Sequence, residues 1–264
     1  VFGTVGISHP SSENPYEITT FRKEYGYSDA RRPDKVEWGK TLEEDLSRRD
    51  FTINAMAFRL ATLAQGKPSY DLIDPYKGKG DLENKLIKAV GDPDERFSED
   101  ALRMMRAIRI AAELGFTIEE ETLAAIKKNA SLINKIAKER VKEELFKILS
   151  SPNPYDGMLI FRNAGLMQEV LPELEKCFGV EQKSPGRHHI YDVGTHLLMS
   201  LKACKSSDPI VRFGTLIHDI GKPQTYKKLE SGVITFYNHE VVSTKIAVNI
   251  AERLRLSNKE TEKL

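Results

Sequence analysis

The sequence predicts an α+β protein, a small β-containing head followed by a mostly α-helical body. Three observations predict it. Residues Tyr16 to Arg22 alternate at period two, behind a turn cluster that includes Pro10, Ser11, Ser12, Asn14 and Pro15. From about residue 98 onward, apolar positions recur at helical spacing, with breaker residues between the runs. The 264 residues are 30% charged and 40% hydrophobic, which suits a globular chain of one large or two modest domains. No run approaches the ~18 consecutive apolar residues of a membrane span, so no membrane partner is expected. Lys and Arg number 40 against 39 Asp and Glu, a formal net charge of +1. That excludes a uniformly basic protein but leaves room for local basic faces. Cys177 and Cys204 are too few for a disulfide framework and fit a cytoplasmic protein. The start, Val1-Phe2-Gly3-Thr4, has neither an initiator Met nor the basic and apolar regions of a signal peptide, so a fragment is expected.

Each element follows from its local chemistry. Val1 to Ile7 and Tyr16 to Arg22 read as two strands, the second with Glu17, Thr19 and Phe21 on one face. Residues 23–40 are polar, charged and aperiodic, which predicts a long loop. Thr41 with Glu44 fits a capping box opening a helix. Phe51 to Leu63 is apolar enough for the core, and 64–80 is a Gly-, Pro-, Tyr- and Asp-rich connection. Helices are expected at about 98–114, 119–134 and 136–150, the first closed by Gly115. Pro152-Asn153-Pro154 marks a subdomain boundary. Helices at 156–164, 193–204 and 209–219 follow, the last stopped by Gly221-Lys222-Pro223. Two short strands around 225–236 turn at Ser231-Gly232, and a last helix starts near 240.

Three groups of residues carry chemistry. Arg48-Arg49-Asp50 offers paired guanidinium groups that match phosphate oxygens, with a carboxylate to hold one of them, although a surface ion pair has the same look. Asn54 offers both a donor and an acceptor for a hydroxyl. Asp100 and Arg103 stand three apart on the expected helix, and Arg106 continues the row. A carboxylate beside a guanidinium makes a plate that accepts from an amino group and donates to a ring nitrogen, the edge that cytosine and adenine share. Read from spacing alone, the same pair is an ordinary surface salt bridge. Residues 127–147 hold seven Lys or Arg and three Glu, a local excess of +4 that suits RNA phosphates or a solvated face. Five of the six histidines lie between 188 and 239: His188, His189, His196, His218 and His239. His218-Asp219 follows an apolar helix, and imidazole with carboxylate suits a divalent metal.

Arg48-Arg49-Asp50-Phe51-Thr52-Ile53-Asn54-Ala55 resembles motif B of the class II tRNA nucleotidyltransferase and poly(A) polymerase family. Tyr16 to Arg22 resembles the strand carrying that family's third catalytic carboxylate, which implies a catalytic role for Glu17. Asp74-Pro75-Tyr76-Lys77-Gly78 onward resembles motif C, Phe97 to Arg109 resembles motif D, and Glu139-Arg140-Val141 resembles motif E. These motifs lie within residues 1–150. The resemblance implies that Asp100 and Arg103 read CTP or ATP without a template. It also implies that Arg49, Asp50, Asn54, Arg106, Arg109 and Arg140 belong to the nucleotide site. The charged stretch 23–40 stands where the family has a loop needed for the switch to ATP, which implies addition of the terminal A. The family's Asp-x-Asp pair, the main holder of Mg2+, is not found here. The order His196, then His218-Asp219, resembles the HD phosphohydrolase superfamily, with His239 as an additional ligand; no Asp follows Asp219 to supply that family's late ligand.

The resemblance implies a division into 1–63, the remainder of a nucleotidyltransferase head; 64–152, a nucleotide-recognition neck with RNA-binding helices; and 153–264, a helical HD-type domain. The expected activity is addition of CCA, or its terminal A, to tRNA from CTP and ATP. The alternatives are poly(A) addition to other RNAs, a metal-dependent phosphohydrolase with a nucleotide- or RNA-binding N-terminal part, and a pure RNA-binding module. The expected cofactors are Mg2+ for transfer and a divalent metal at the HD residues.

Overall fold

The computed structural model describes residues 4–8, 10, 15–26, 35–64, 67–182 and 190–264. In the head, β1 (Thr4–Ile7) pairs antiparallel with β2 (Tyr16–Thr19), and β3 (Arg22–Tyr25) pairs antiparallel with β4 (Lys35–Trp38). The period-two run therefore splits: Thr20 and Phe21 leave the first hairpin, and Arg22 opens the second. Residues 23–25 and 35–38 of the expected loop are strand residues of this second hairpin, and residues 27–34 lie outside the described residues. Helix α1 (Leu42–Ser47) begins at Thr41, whose hydroxyl accepts from the Glu44 N–H at 3.3 Å. Glu44 does not return the bond to Thr41 that the capping box requires. Its carboxylate accepts from the Lys40 N–H at 2.8 Å.

Phe51 is fully buried, and Thr52–Asn54 form one 3-10 turn. Beyond it, β5 (Ala57–Ala64) and β6 (Lys67–Ile73) make an antiparallel hairpin. The expected core run and the expected connection are thus two strands, and Phe58 is 73% exposed. β-Branched and aromatic residues fit a pleated surface whether or not a second layer covers it. Helix α2 (Gly78–Glu83) docks on the 3-10 turn, followed by β7 (Leu86–Ile87), α3 (Pro93–Glu99) and α4 (Leu102–Leu114). The single helix expected over 98–114 is two, because Asp100 takes an extended conformation (φ −141°, ψ 102°) between them. Gly115 closes α4 at φ 67°, the left-handed cap that glycine adopts without strain.

After β8 (Thr117–Ile118), parallel to β7, come α5 (Glu120–Asn129), a 3-10 segment at Ala130–Lys135, α6 (Lys138–Ser150), α7 (Pro154–Asn163), α8 (Leu166–Val170) and α9 (Pro172–Glu175). Next stand α10 (Val193–Ala203), α11 (Pro209–Ile217) and the short α12 (Lys222–Thr225). Gly221-Lys222-Pro223 does not stop α11, which ends four residues earlier; Pro223 instead lies in the first turn of α12, where its missing N–H costs nothing. The hairpin of β9 (Lys227–Lys228) and β10 (Ile234–Thr235) turns at Gly232, φ 78°. Helices α13 (His239–Arg253) and α14 (Asn258–Lys263) complete the described chain.

One buried cluster runs from Phe51 to Leu254 and crosses residue 152 without a break. Pro152-Asn153-Pro154 is therefore a corner inside the packing. Asn153 Nδ2 donates to Ala112 O at the end of α4, and Arg212 Nη1 donates to Leu149 O and Ser151 O at the end of α6. Each fully buried side chain, such as Phe161 or Leu145, stabilises the fold by roughly 1.5–3 kcal/mol. No helix among the described residues is long and apolar enough to cross a membrane.

Candidate functional site

A cavity of about 520 Å³ opens between the first hairpin, α1, the 3-10 turn and the start of α4. The predicted residues Glu17, Arg49, Asp50, Asn54, Asp100, Arg103 and Arg106 all line it. Glu17 stands on β2 opposite Gly6, and the neighbouring cross-strand pair joins Thr4 to Thr19 by a 3.1 Å hydroxyl bond. From α1, buried Asp45 grips both following arginines: Arg48 through Nε and Nη2, and Arg49 through Nη2 at 3.0 Å. Burial by itself would raise the Asp45 carboxyl, but the bonds from Arg48 and Arg49 reverse that and hold it below the usual carboxylate range.

Asp50 is nearly buried. Its Oδ1 accepts from the Phe51 N–H at 3.0 Å and from Asn54 Nδ2 at 3.3 Å, and its Oδ2 accepts from Arg106 Nε at 2.8 Å. The 3-10 turn is what brings Asn54 back over Asp50. Asp100 and Arg103 share the cavity wall, but not as a direct helical i,i+3 pair, because the chain is extended at Asp100. Asp100 Oδ1 accepts from the Leu102 N–H at 3.0 Å, and its Oδ2 lies 3.8 Å from Arg140 Nη2. Arg103 Nη1 is held by Glu99 and Arg96 O, and its Nη2 donates to Arg48 O at 3.2 Å. Burial raises the Asp100 carboxyl, partly offset by the Leu102 N–H and Arg140. The arrangement is a wall of fixed donors beside a fixed carboxylate. It suits a planar polar edge at Asp100 and Arg103, with anionic oxygens toward the other arginines.

Two predicted residues stand apart from the cavity lining. Arg109 ties α4 to α6, with Nε 2.8 Å from Glu144 and Nη1 on Glu113. Arg140 reaches the site only through Asp100. Arg48, one of the paired guanidinium groups read from the sequence, lines the cavity too, as do Arg22, Thr4 and Thr19, which composition and spacing did not single out as site residues. The available signal was position: Thr19 lies two residues from Glu17, and Arg22 ends the same strand motif.

The second group gathers where α10, the end of α11 and the start of α13 meet. His196 Nε2 lies 3.5 Å and His218 Nε2 3.4 Å from Asp219 Oδ2, and the two imidazole nitrogens are 3.3 Å apart. One ligand atom from each of these three residues lies within 4.8 Å of the others. His218 Nδ1 faces Thr215 O at 2.9 Å and His239 Nδ1 faces Phe236 O at 2.7 Å, so in both rings Nε2 is the nitrogen directed to Asp219. His239 meets the other carboxylate oxygen at 3.3 Å. Sequence reasoning missed Lys222, buried, with Nζ 2.6 Å from Asp219 Oδ2 and 2.9 Å from Gln182 Oε1. Burial opposes the charge on Asp219, but His218 and Lys222 hold its carboxyl far below the usual range. His188 and His189 lie outside the described residues.

Comparison with known proteins fits this geometry. Residues 1–88 match the family described as the poly A polymerase head domain, and residues 115–178 match the probable RNA and SrmB-binding site of polymerase A. The chain belongs to the class II tRNA nucleotidyltransferase and poly(A) polymerase family. Among curated members of the family, it is 54% identical over 162 residues to the CCA-adding enzyme of Limosilactobacillus reuteri, covering 61% of this chain and 38% of that protein. It is 50% identical over 183 residues to the CCA-adding enzyme of Pediococcus pentosaceus, covering 69% and 42%. The chain thus spans about two-fifths of the length of these relatives. A crystal structure of the Bacillus stearothermophilus CCA-adding enzyme in complex with CTP superposes with a TM-score of 0.52 at 25% identity, over 94% of this chain and 67% of that one. A tRNA nucleotidyltransferase complexed with a primer tRNA and an incoming ATP analog shares the fold, with a TM-score of 0.56 at 22% identity, over 81% and 60%.

Proposed function

We propose that this chain carries nucleotide and RNA recognition for a tRNA nucleotidyltransferase that adds CCA, or its terminal A, from CTP and ATP. One observation carries the reading: Asp100 and Arg103 converge with Arg22, Arg48, Arg49 and Arg106 on one cavity. Five arginines against Glu17, Asp50 and Asp100 leave that wall at +2, which suits a polyphosphate. The Asp100–Arg103 wall suits the amino group and ring nitrogen that cytosine and adenine share. RNA is assigned to the basic residues of 127–147. Lys128, Lys142, Lys147 and Arg140 are engaged by Asp94, Glu260, Glu144 and Asp100, which leaves for phosphates Lys127, Lys135 and Lys138, the last donating to the neutral Asn134 Oδ1 at 3.4 Å. A cytoplasmic location belongs to the same proposal, as does a division at 63 and 152; because one buried cluster crosses 152, that division is one of roles and not of separate cores.

Nucleotidyl transfer uses a magnesium ion held by clustered carboxylates. Here Glu17 is exposed on β2, while Asp50 is committed to Arg106, Asn54 and the Phe51 N–H. This set does not fit a magnesium centre, and no transfer step is assigned to it. The test is calorimetric titration of the chain with each of the four nucleoside triphosphates. CTP and ATP should bind about tenfold or more tightly than GTP and UTP. Equal affinity for all four, or binding of none, overturns the proposal.

The convergence of His196, His218 and Asp219 favours a second site in the same chain, for a divalent metal of the kind that accepts imidazole and carboxylate. Bound there, a metal would supply Lewis acidity to a phosphate oxygen or a water. The chain's own contribution is the pair of carbonyls, Thr215 O and Phe236 O, that orient the rings. Titration with Mn2+ alone should show one site that His218→Ala weakens by about a hundredfold. Unchanged binding in His218→Ala removes this reading.

A further inference from the structure

We infer that Asp45 is the positioning residue for polyphosphate recognition: one buried carboxylate sets Arg48 and Arg49 toward the cavity and ties both to the backbone of β3. The inference rests on the nucleotide-binding reading of that cavity. Asp45 is 3% exposed and accepts four bonds. Its Oδ1 takes Arg48 Nε at 3.1 Å, Arg48 Nη2 at 2.6 Å and the Arg22 backbone N–H at 3.2 Å, and its Oδ2 takes Arg49 Nη2 at 3.0 Å. All three arginines line the cavity, whereas Asp45 does not.

An ordinary surface ion pair orders one long side chain against another and is screened by water. Three features separate Asp45 from that case. The carboxylate is buried, so its bonds act in a low-dielectric setting and its loss leaves guanidinium groups without their shared partner. It serves two consecutive arginines that follow the end of α1, Arg48 on one of its oxygens and Arg49 on the other. Arg49 Nε is also buried without a partner, so this side chain is held in place through its terminal nitrogen. The neighbouring carboxylate behaves differently. Glu44 faces outward, 3.5 Å from Lys23 Nζ on β3, and accepts from the Lys40 N–H. Helix α1 therefore divides its adjacent acids: Glu44 clamps the hairpin, and Asp45 joins the hairpin to the arginines. A guanidinium already oriented loses less side-chain freedom when it meets a phosphate, which is where the affinity arises.

The test compares tripolyphosphate, CTP and cytidine as ligands of the full chain by calorimetry, with thermal unfolding followed in parallel. In Asp45→Asn, affinity for tripolyphosphate and CTP should fall about tenfold or more, with cytidine binding unchanged. Asp45→Glu, which keeps the charge on a longer arm, should recover part of the loss. The effect of Asp45→Asn on phosphate affinity should also shrink to the small part that the Arg22 backbone bond carries in an Arg48→Gln/Arg49→Gln background, because the side chains Asp45 sets toward the phosphate are these two. Undiminished tripolyphosphate binding in Asp45→Asn overturns the inference while leaving the nucleotide reading intact. Parallel loss of cytidine and tripolyphosphate binding, with or without loss of the fold, overturns it in favour of a purely structural role. Wild-type protein that binds neither CTP nor tripolyphosphate overturns the nucleotide reading itself, and this inference with it.

Discussion

Arg106 on α4 and Asp50 before the 3-10 turn are 56 residues apart in sequence, and Arg106 closes that distance by placing Nε 2.8 Å from Asp50 Oδ2, with Nη2 on the same oxygen. The contact links the segment resembling motif B to the segment resembling motif D. It also explains why Asp50 tolerates burial, since a carboxylate this enclosed requires a charged partner and hydrogen bonds to its remaining lone pairs.

Arg106→Ala leaves Asp50 with only the Phe51 N–H and Asn54. The expected loss is about 1–3 kcal/mol of unfolding free energy, measured by urea denaturation. A change within a few tenths of a kcal/mol would show the pair to be an ordinary exposed bridge.

Asp100→Ala and Arg103→Ala each remove one half of the proposed base-reading wall. Selection of CTP and ATP over GTP and UTP should shrink by about 1–3 kcal/mol in each variant, read as the ratio of dissociation constants. Unchanged ratios in both variants would move base recognition to another part of the cavity.

Gly78 has no room for a side chain. A Cβ there would stand 2.1 Å from Thr52 O and 3.1 Å from Met56 Cγ, because α2 docks directly on the 3-10 turn. Gly78→Ala must push the two backbones apart, at a cost of about 1–3 kcal/mol. Since the same turn carries Asn54 and neighbours Asp50, nucleotide affinity should fall together with stability. Full retention of affinity in the destabilised variant would uncouple the turn from the site.

Arg253 on α13 meets both carboxylate oxygens of Glu173 on α9, at 2.5 and 2.8 Å. Burial would raise the Glu173 carboxyl, but the Arg253 bonds prevail and lower it. A carboxyl lowered in the folded state contributes stability that is fully present above its unfolded value and is lost as pH falls through its folded value. Wild type should therefore exceed Glu173→Gln by on the order of 1 kcal/mol near neutrality. The gap should close as the solution is acidified below the ordinary glutamate range. A gap independent of pH would assign the difference to packing.

Spacing alone read Arg48-Arg49-Asp50 and the Asp100, Arg103 and Arg106 row equally well as ordinary ion pairs, and it gave Glu17 no role. The resemblance to the family's motifs is what gathered Glu17, Arg49, Asp50, Asn54, Asp100, Arg103 and Arg106 into one expected site, and all seven line one cavity. His196, His218 and Asp219 were legible from the clustering of imidazole and carboxylate itself. Helix ends set by local rules were equally readable, as at Gly115 and Thr41, where the deciding bond spans four residues or fewer.

Long-range partners were not readable. Whether Asp100 would face Arg103 or Arg140 depends on a single extended residue between α3 and α4, and on where α6 lies. The pairing of β3 with β4, the docking of Gly78 on Thr52 and the burial of Lys222 beside Asp219 and Gln182 depend on segments meeting in space. Periodicity describes one element at a time, so residue types and the motifs they form determined which polar groups this chain brings to its sites. The tertiary structure decided which carboxylate holds which cation, because that choice is made by desolvation and by donors arriving from distant parts of the chain.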